Sequence, residues 1–82
     1  SHREFMIVLA HTHVCGSCRQ RLLDDPIASV RGRSLTEQEH EALGGLKFEH
    51  YVTPDTLARA AGVTVAELDA FRDEAVVRLR HL

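Results

Sequence analysis

The chain has 82 residues, of which 44% are hydrophobic and 27% are charged, and its formal net charge is −2. A chain of this length makes one domain and buries only about 60 to 65% of its unfolded surface, so its core is thin. The balanced charge gives no overall attraction to nucleic acid or to an anionic membrane, and no apolar run reaches the roughly 20 residues that span a bilayer. We therefore expect a single small, soluble, cytoplasmic domain over residues 1–82.

The chain begins with Ser1 and His2, which resemble the remnant of a removed affinity tag and are followed at once by residues typical of the middle of an element. We therefore expect a fragment of a longer protein and discount His2 as a functional residue. Within the fragment, we expect residues 1–33 to carry a His/Cys metal site and residues 34–82 to be helical.

The first predicted element, residues 4–10, fits either of two structures. Phe5, Ile7 and Val8 favour a strand, whereas a buried helix would be equally apolar. A second extended candidate, residues 46–52, alternates apolar and polar residues and could pair with the first. We favour a wholly helical domain and keep a short N-terminal strand as the alternative.

Helix boundaries are marked clearly from Asp25 onward. Asp25-Pro26 can start a short helix that Gly32 ends. Three further starts follow, each with a side chain that can cap free backbone N–H groups or a proline at the first helical position: Thr36 with Glu39, Thr53-Pro54, and Thr64 with Glu67. The sequence therefore predicts a mainly α fold of four to five short helices.

The last of these helices is predicted to be the longest. Apolar residues recur in it at intervals of three and four, which is typical of a helix that packs on one side. The stripe consists of Leu68, Phe71, Ala75, Leu79 and Leu82.

Two imidazoles and both thiols of the chain lie within eight residues: His11, His13, Cys15 and Cys18. If this segment is helical, the spacing places His11, Cys15 and Cys18 on one face while His13 points away. Thiolate and imidazole are the ligands of structural Zn²⁺ sites, which are tetrahedral, so a fourth ligand must come from elsewhere. The fourth ligand stays open among His13, His40, His50 and a residue outside the fragment, with His50 as the candidate for a distal ligand.

The spacing His11-x3-Cys15-x2-Cys18 resembles the metal-binding motif of the zinc-binding anti-sigma factors. The resemblance covers about thirteen residues of the chain. It implies a small helical domain that binds a sigma factor, with these three residues as zinc ligands. It also implies, as in some family members, that thiol oxidation expels the zinc and releases the partner.

Two other interpretations of the cluster remain open. If the chain is extended through Val14, then His11, His13 and Cys15 alternate onto one face and Cys18 completes a four-ligand site after a turn at Gly16. A Cys-x-x-Cys motif at the start of a helix can also perform thiol-disulfide exchange. Alternatively, the thiols are free and the histidines are merely polar.

Residues 57–71 resemble the helix-turn-helix of DNA-binding proteins, with Gly62 at the turn. Its second helix, however, would offer DNA two carboxylates and no cation, which disfavours nucleic acid as the partner. The exposed face of that helix, predicted to contain Val65, Ala66 and Asp69, suits a protein partner better.

The sequence gives little support for catalysis, so we do not expect an enzyme. We expect a small zinc-binding regulatory or protein-interaction domain whose partner is a sigma factor, another regulator or a second copy of the chain. A DNA-binding helix-turn-helix regulator and a thiol-disulfide redox protein are the alternatives.

Overall fold

The central element of the fold is α1 (His2–Val14), in a computed structural model that describes the backbone of residues 1–82 and every side chain except that of Ala75. Residues 5 to 12 of this helix are all buried. A helix that is covered on every side needs apolar residues all round, which explains the unbroken apolar run from Phe5 to Ala10. The segment that could have been a strand is therefore helical throughout.

The remaining elements are short. They are α2 (Gly16–Asp24), α3 (Pro26–Ser29), α4 (Glu37–Gly44), a 3-10 helix (Phe48–Tyr51), α5 (Pro54–Ala61), α6 (Val65–Arg72) and α7 (Ala75–Leu79). The mainly α prediction is confirmed, and no strand occurs in the described part of the chain. The extended segment considered for residues 46–52 contains the 3-10 helix instead.

The predicted helix starts are formed by the predicted caps. The Thr36 hydroxyl accepts a hydrogen bond from the Glu39 backbone N–H at 3.1 Å, while the Glu39 carboxylate accepts one from the Thr36 N–H at 2.8 Å. Thr64 and Glu67 repeat this arrangement at the start of α6. Each exchange satisfies two backbone donors that the first turn of a helix leaves free.

The single long helix predicted after Thr64 is wrong. The α6 helix ends at Arg72, Glu74 has an extended backbone with φ −70° and ψ 136°, and α7 follows as a separate helix. The break lets α7 turn back onto α1, where Val77 is fully buried, and it leaves Leu79, which a straight helix would have placed on the apolar stripe, 79% exposed.

Helix α1 contacts α2, α6 and α7, while α5 joins the 3-10 helix, α4 and α6 into the rest of the bundle. One core results, and its fully buried large side chains include Met6, Leu9, Leu22, Leu43, Leu57 and Leu68. Helix α1 ends at Val14. The start of α2 and the break after α6 lie beside this end of the central helix. The His/Cys segment lies at this end.

The longest helix among the described residues has 13 residues, and none of these helices is long and apolar enough to cross a membrane.

Candidate metal centre

Both cysteines lie at the joint between α1 and α2. The α1 helix ends at Val14, and Cys15 is extended with φ −112° and ψ 106°, which makes it the N-cap residue of α2. The chain thus adopts neither of the two predicted backbones in full: it is helical through His11, interrupted at Cys15 and helical again through Cys18. The interruption turns Cys15 and Cys18 toward the end of α1 that carries His11.

A fourth ligand-type side chain reaches this joint from the far end of the chain. His11, Cys15, Cys18 and His81 each place one nitrogen or sulfur atom within 4.8 Å of all the others. His81 follows α7, and its Nδ1 lies 3.1 Å from His11 Nε2, 3.4 Å from Cys18 Sγ and 3.8 Å from Cys15 Sγ. His11 Nε2 lies 3.2 Å from Cys18 Sγ.

These separations match the edges of a zinc tetrahedron. With Zn–N bonds of about 2.05 Å and Zn–S bonds of about 2.3 Å, tetrahedral geometry sets edges of about 3.3 Å between two nitrogens and about 3.6 Å between nitrogen and sulfur. Four of the six pairs, the N–N pair at 3.1 Å and the N–S pairs at 3.2, 3.4 and 3.8 Å, agree with these edges to within about 0.4 Å. In the other two pairs, Cys15 Sγ lies within 4.8 Å of His11 and of Cys18 Sγ. Two thiolates and two imidazoles are also the donor set that zinc prefers in structural sites.

His11 is held in the tautomer that a metal ligand needs. Its side chain is 1% exposed, and its Nδ1 hydrogen-bonds the backbone carbonyl oxygen of Val77. A carbonyl can only accept, so Nδ1 carries the proton and the lone pair resides on Nε2, the atom that faces Cys18 and His81. Metal-binding histidines generally donate their second N–H to such an acceptor, which fixes the ring orientation.

The two thiols differ in their environments. The Ser17 hydroxyl and then the Cys18 backbone N–H hydrogen-bond to the sulfur of the half-buried Cys15, and they lower the pKa of this thiol from 9.0 to about 6. Burial raises the pKa of the Cys18 thiol, whose residue is 2% exposed. At neutral pH Cys15 is therefore a ready thiolate, whereas Cys18 would lose its proton when a metal binds.

Arg19 fixes the angle between the two helices that carry the first three members of the His/Cys group. Its Nε donates to the Thr12 carbonyl at 2.9 Å and its Nη2 to the His13 carbonyl at 2.8 Å. These carbonyls belong to the last turn of α1, where backbone acceptors lack helical partners. The guanidinium also lies 5.3 Å from the centre of the Tyr51 ring, and the Tyr51 hydroxyl hydrogen-bonds Thr12 at 2.8 Å.

Arginines also hold the segment that carries His81. Arg80 donates to the Glu4 carboxylate at 2.6 Å, and Arg33 donates both to that carboxylate at 3.1 Å and to the His81 carbonyl at 3.3 Å. Arg21 hydrogen-bonds the Leu82 carbonyl. The His81 side chain is exposed, yet its own carbonyl is bonded by the loop after α3, and its neighbours Arg80 and Leu82 are bonded to α1 and α2.

Three of the residues predicted as ligands are brought together and two are not. His11, Cys15 and Cys18 belong to the group, whereas His13 and His50 do not, and His81 takes the fourth position. His13 points away from His11, as expected for a helix; burial, with Arg72 and Arg19 nearby, lowers the pKa of His13. The Nδ1 atom of His50 accepts the Lys47 backbone N–H at 2.9 Å, far along the chain from the joint.

The predicted protein-contact residues lie on the outer side of α6. Ala66 and Asp69 are exposed and Val65 is half-buried. Asp69 forms an ion pair with Arg72 one turn further on. The face therefore consists of small apolar side chains and a partly neutralised carboxylate.

No family model, curated protein or solved structure matches this chain.

Proposed function

We propose that the protein is a small zinc-binding regulatory domain that acts by contacting another protein. The observation that carries the metal assignment is the convergence of His11, Cys15, Cys18 and His81 within 4.8 Å, with four of their six pair distances close to the edges of a zinc tetrahedron. Bound zinc would supply a fixed four-coordinate junction, and the four protein ligands would leave it no open position for a substrate. A structural role follows from that closed coordination.

The zinc would tie together parts of the chain that are remote in sequence. His11 comes from α1, both cysteines come from the α1–α2 joint and His81 comes from the segment after α7. A domain of about 80 residues has a thin core, so a metal staple would add stability where hydrophobic burial is limited. Binding of the metal would therefore be coupled to docking of residues 74–82.

The test is metal analysis of the protein purified without an affinity tag, together with its Cys18→Ser and His13→Ala variants. We expect one zinc ion per wild-type chain, retention of zinc in His13→Ala and its loss in Cys18→Ser. A chelator should lower the melting temperature of the wild type. Equal metal content in all three proteins would rule out the site.

The partner in this proposal is another protein, either a sigma factor or a different regulator, or a second copy of the chain. The contact surface is the outer side of α6, with Val65, Ala66 and Asp69. Small apolar side chains flanked by polar ones suit a protein interface. The test compares what the wild type, Ala66→Arg and the control Arg31→Glu each retain from the same cell extract. A partner lost only with Ala66→Arg supports the surface, whereas identical retention by all three contradicts it.

Thiol-disulfide exchange is a second candidate, favoured by the low pKa of Cys15 and its accessibility relative to Cys18. In this reaction the Cys15 thiolate attacks a substrate disulfide, Cys18 resolves the mixed disulfide, and the Cys15–Cys18 bridge forms as two substrate thiols leave. An added dithiol would then regenerate the protein. Cys15→Ser should abolish turnover, and a wild type that shows none excludes this function.

A DNA-binding role has weaker support. Two carboxylates, Glu67 and Asp69, lie on α6, and the Arg72 guanidinium is paired with Asp69. The two carboxylates would repel DNA phosphates, and a phosphate would have to displace Asp69 to reach the Arg72 guanidinium. We expect no mobility shift of duplex DNA even at low salt, and a salt-dependent shift would reverse this order of preference.

A further inference from the structure

A cleft of about 630 Å³ opens beside the candidate metal centre. One wall is the α1–α2 joint with Val14, Cys15 and Gly16, and the opposite wall is the break between α6 and α7 with Arg72, Asp73 and Arg78. His11 and His81 line the cleft between the two walls. Its volume falls within the range of about 300 to 1,000 Å³ that is typical of small-ligand sites.

The charges around the cleft balance. The lining contains two guanidiniums and one carboxylate, and a zinc ion with two thiolate ligands would add no net charge. The Asp69 carboxylate, which is paired with Arg72, offsets the second guanidinium. A ligand anion would therefore bind by replacing a carboxylate on a guanidinium, and not through an excess of positive charge.

The two arginines of the cleft are less committed to the fold than the other arginines described above. Arg72 pairs with Asp69 of its own helix, and its Nε atom has no hydrogen-bond partner among the described residues. Arg78 lies 3.6 Å from Asp73, with both side chains more than two-thirds exposed. An exposed pair such as Arg78–Asp73 contributes little stability, so Arg78 can exchange its partner for a ligand at low cost. Arg72 is one-third exposed and would have to release Asp69 to do the same.

The opposite wall adds donors and an apolar contact. Helix α2 has nine residues and begins at Gly16, which lines the edge of the cleft, so the Gly16 backbone N–H is a donor for an anion there. The Cys18 N–H of the same turn already bonds the Cys15 sulfur. Val14 is 45% exposed and gives an apolar patch next to them. Guanidinium groups on one wall, with the Gly16 N–H and the apolar Val14 side chain on the other, suit an anionic group attached to a short carbon chain.

We propose that this cleft binds a ligand that carries a carboxylate or a phosphate, with Arg72 and Arg78 as its main contacts. The anion sits between these guanidiniums and the start of α2, and it does not coordinate the metal. The site is thus distinct from the zinc ligands in chemistry although it shares a wall with them. Carboxylate and phosphate both match the fork of a guanidinium, so either a small free anion or an acidic side chain of a partner protein satisfies the chemistry.

The test is an NMR titration of the full ¹⁵N-labelled chain, whose zinc content is measured in the same sample. The probes are inorganic phosphate, blocked glutamate (N-acetylglutamate amide) and, as a neutral control, blocked glutamine. We expect saturable shifts of the Gly16 amide and of the Arg72 Nε–H resonance, with a dissociation constant of about 1 mM or tighter, as expected for such small probes. Blocked glutamine should give no saturable shift.

Arg78→Gln and Arg72→Gln should each weaken binding about tenfold, the loss expected when one charge-assisted hydrogen bond is removed. The matched control is Arg31→Gln, which removes the same charge from an exposed position outside the cleft and should leave the affinity unchanged. Tighter binding of phosphate assigns a small phosphorylated ligand, and tighter binding of blocked glutamate assigns an acidic segment of a partner.

Shifts that rise linearly without saturation, or an equal loss in Arg31→Gln, overturn the proposal. Because Arg78 is largely exposed, its variant tests the site even if Arg72→Gln does not fold. Saturable binding by a sample without zinc would refute the metal centre and support the anion site. A zinc-loaded sample that shows no saturable shifts would support the metal centre and refute the anion site.

Discussion

His11 and His81 are 70 positions apart in the sequence, yet Nε2 of the first lies 3.1 Å from Nδ1 of the second. The rings meet edge to face with their centres 4.7 Å apart, so they are not stacked. The pair closes one side of a group that also contains both cysteines of the chain. In the proposed zinc site, the metal ion occupies the space between these nitrogens and the two sulfurs.

His81→Ala should weaken zinc binding by more than about a hundredfold, because it removes a ligand and not merely an outer hydrogen-bond partner. His13→Ala is the matched control, since His13 lies only two residues after His11 but points away from the group. Competition titration with a coloured chelator gives both affinities. Equal losses in the two variants would contradict the assignment of His81.

Arg19→Gln should lower zinc affinity about tenfold to a hundredfold, the range observed when residues that position metal ligands are lost. Its hydrogen bonds to the Thr12 and His13 carbonyls hold α1 and α2 at the angle that brings His11 to the cysteines. The same competition assay measures the effect. Arg31→Gln, which removes a charge from an exposed site elsewhere, should bind zinc as the wild type does, and parallel behaviour of the two variants would disprove the positioning role.

Proton release should report the difference between the two thiols. At pH 7.5 Cys15, with a pKa of about 6, is already ionised, whereas burial keeps Cys18 protonated. The two thiols together should therefore release about one proton per zinc at pH 7.5, and this number should rise as the pH falls through 6. Calorimetry in buffers of different ionisation enthalpy measures the released protons.

Ser17→Ala provides the control for this experiment. It removes the hydrogen bond that lowers the pKa of Cys15 most, so the Cys15 thiol should be protonated over a wider pH range. The number of protons released at pH 7.5 should then increase toward two. Wild-type release of two protons per zinc from the thiols at pH 7.5 would contradict the assigned pKa of Cys15.

Several features of the fold were predictable because they depend on neighbours in the sequence. The capping pairs Thr36–Glu39 and Thr64–Glu67 form as expected, since a hydroxyl and a carboxylate three residues apart satisfy each other's backbone N–H groups. Gly62 ends α5 with φ +74°. The left-handed region is one that other residues enter only at a cost, so the glycine itself marks the turn.

The features that were missed depend on contacts remote in sequence. The break between Arg72 and Ala75 is set by the packing of Val77 against α1, and an apolar periodicity that continues through residue 82 does not reveal it. His81 was missed for the same reason, because no spacing rule relates it to Cys18, 63 positions earlier. Only the reversal of the chain at α7 brings it to the cysteines.

Two glycine substitutions should have opposite effects on stability. Gly62→Ala should destabilise the protein by roughly 1 to 2 kcal/mol, because φ at this position is +74° and an L side chain resists the left-handed region. Gly44 lies at the helical end of α4 with free space around it. Gly44→Ala should therefore stabilise the protein by about 0.4 to 1 kcal/mol, because alanine lowers the conformational entropy of the unfolded chain. Urea unfolding monitored by circular dichroism measures both, and changes of the same sign would contradict this difference in backbone conformation.

The most direct test of the zinc-binding account is elemental analysis of the protein, purified without an affinity tag and without added metal. The arrangement of His11, Cys15, Cys18 and His81 predicts about one zinc ion per chain, retained through gel filtration. A protein that folds with the same helical content but contains no stoichiometric zinc, and that takes none up when zinc is supplied, would contradict the account.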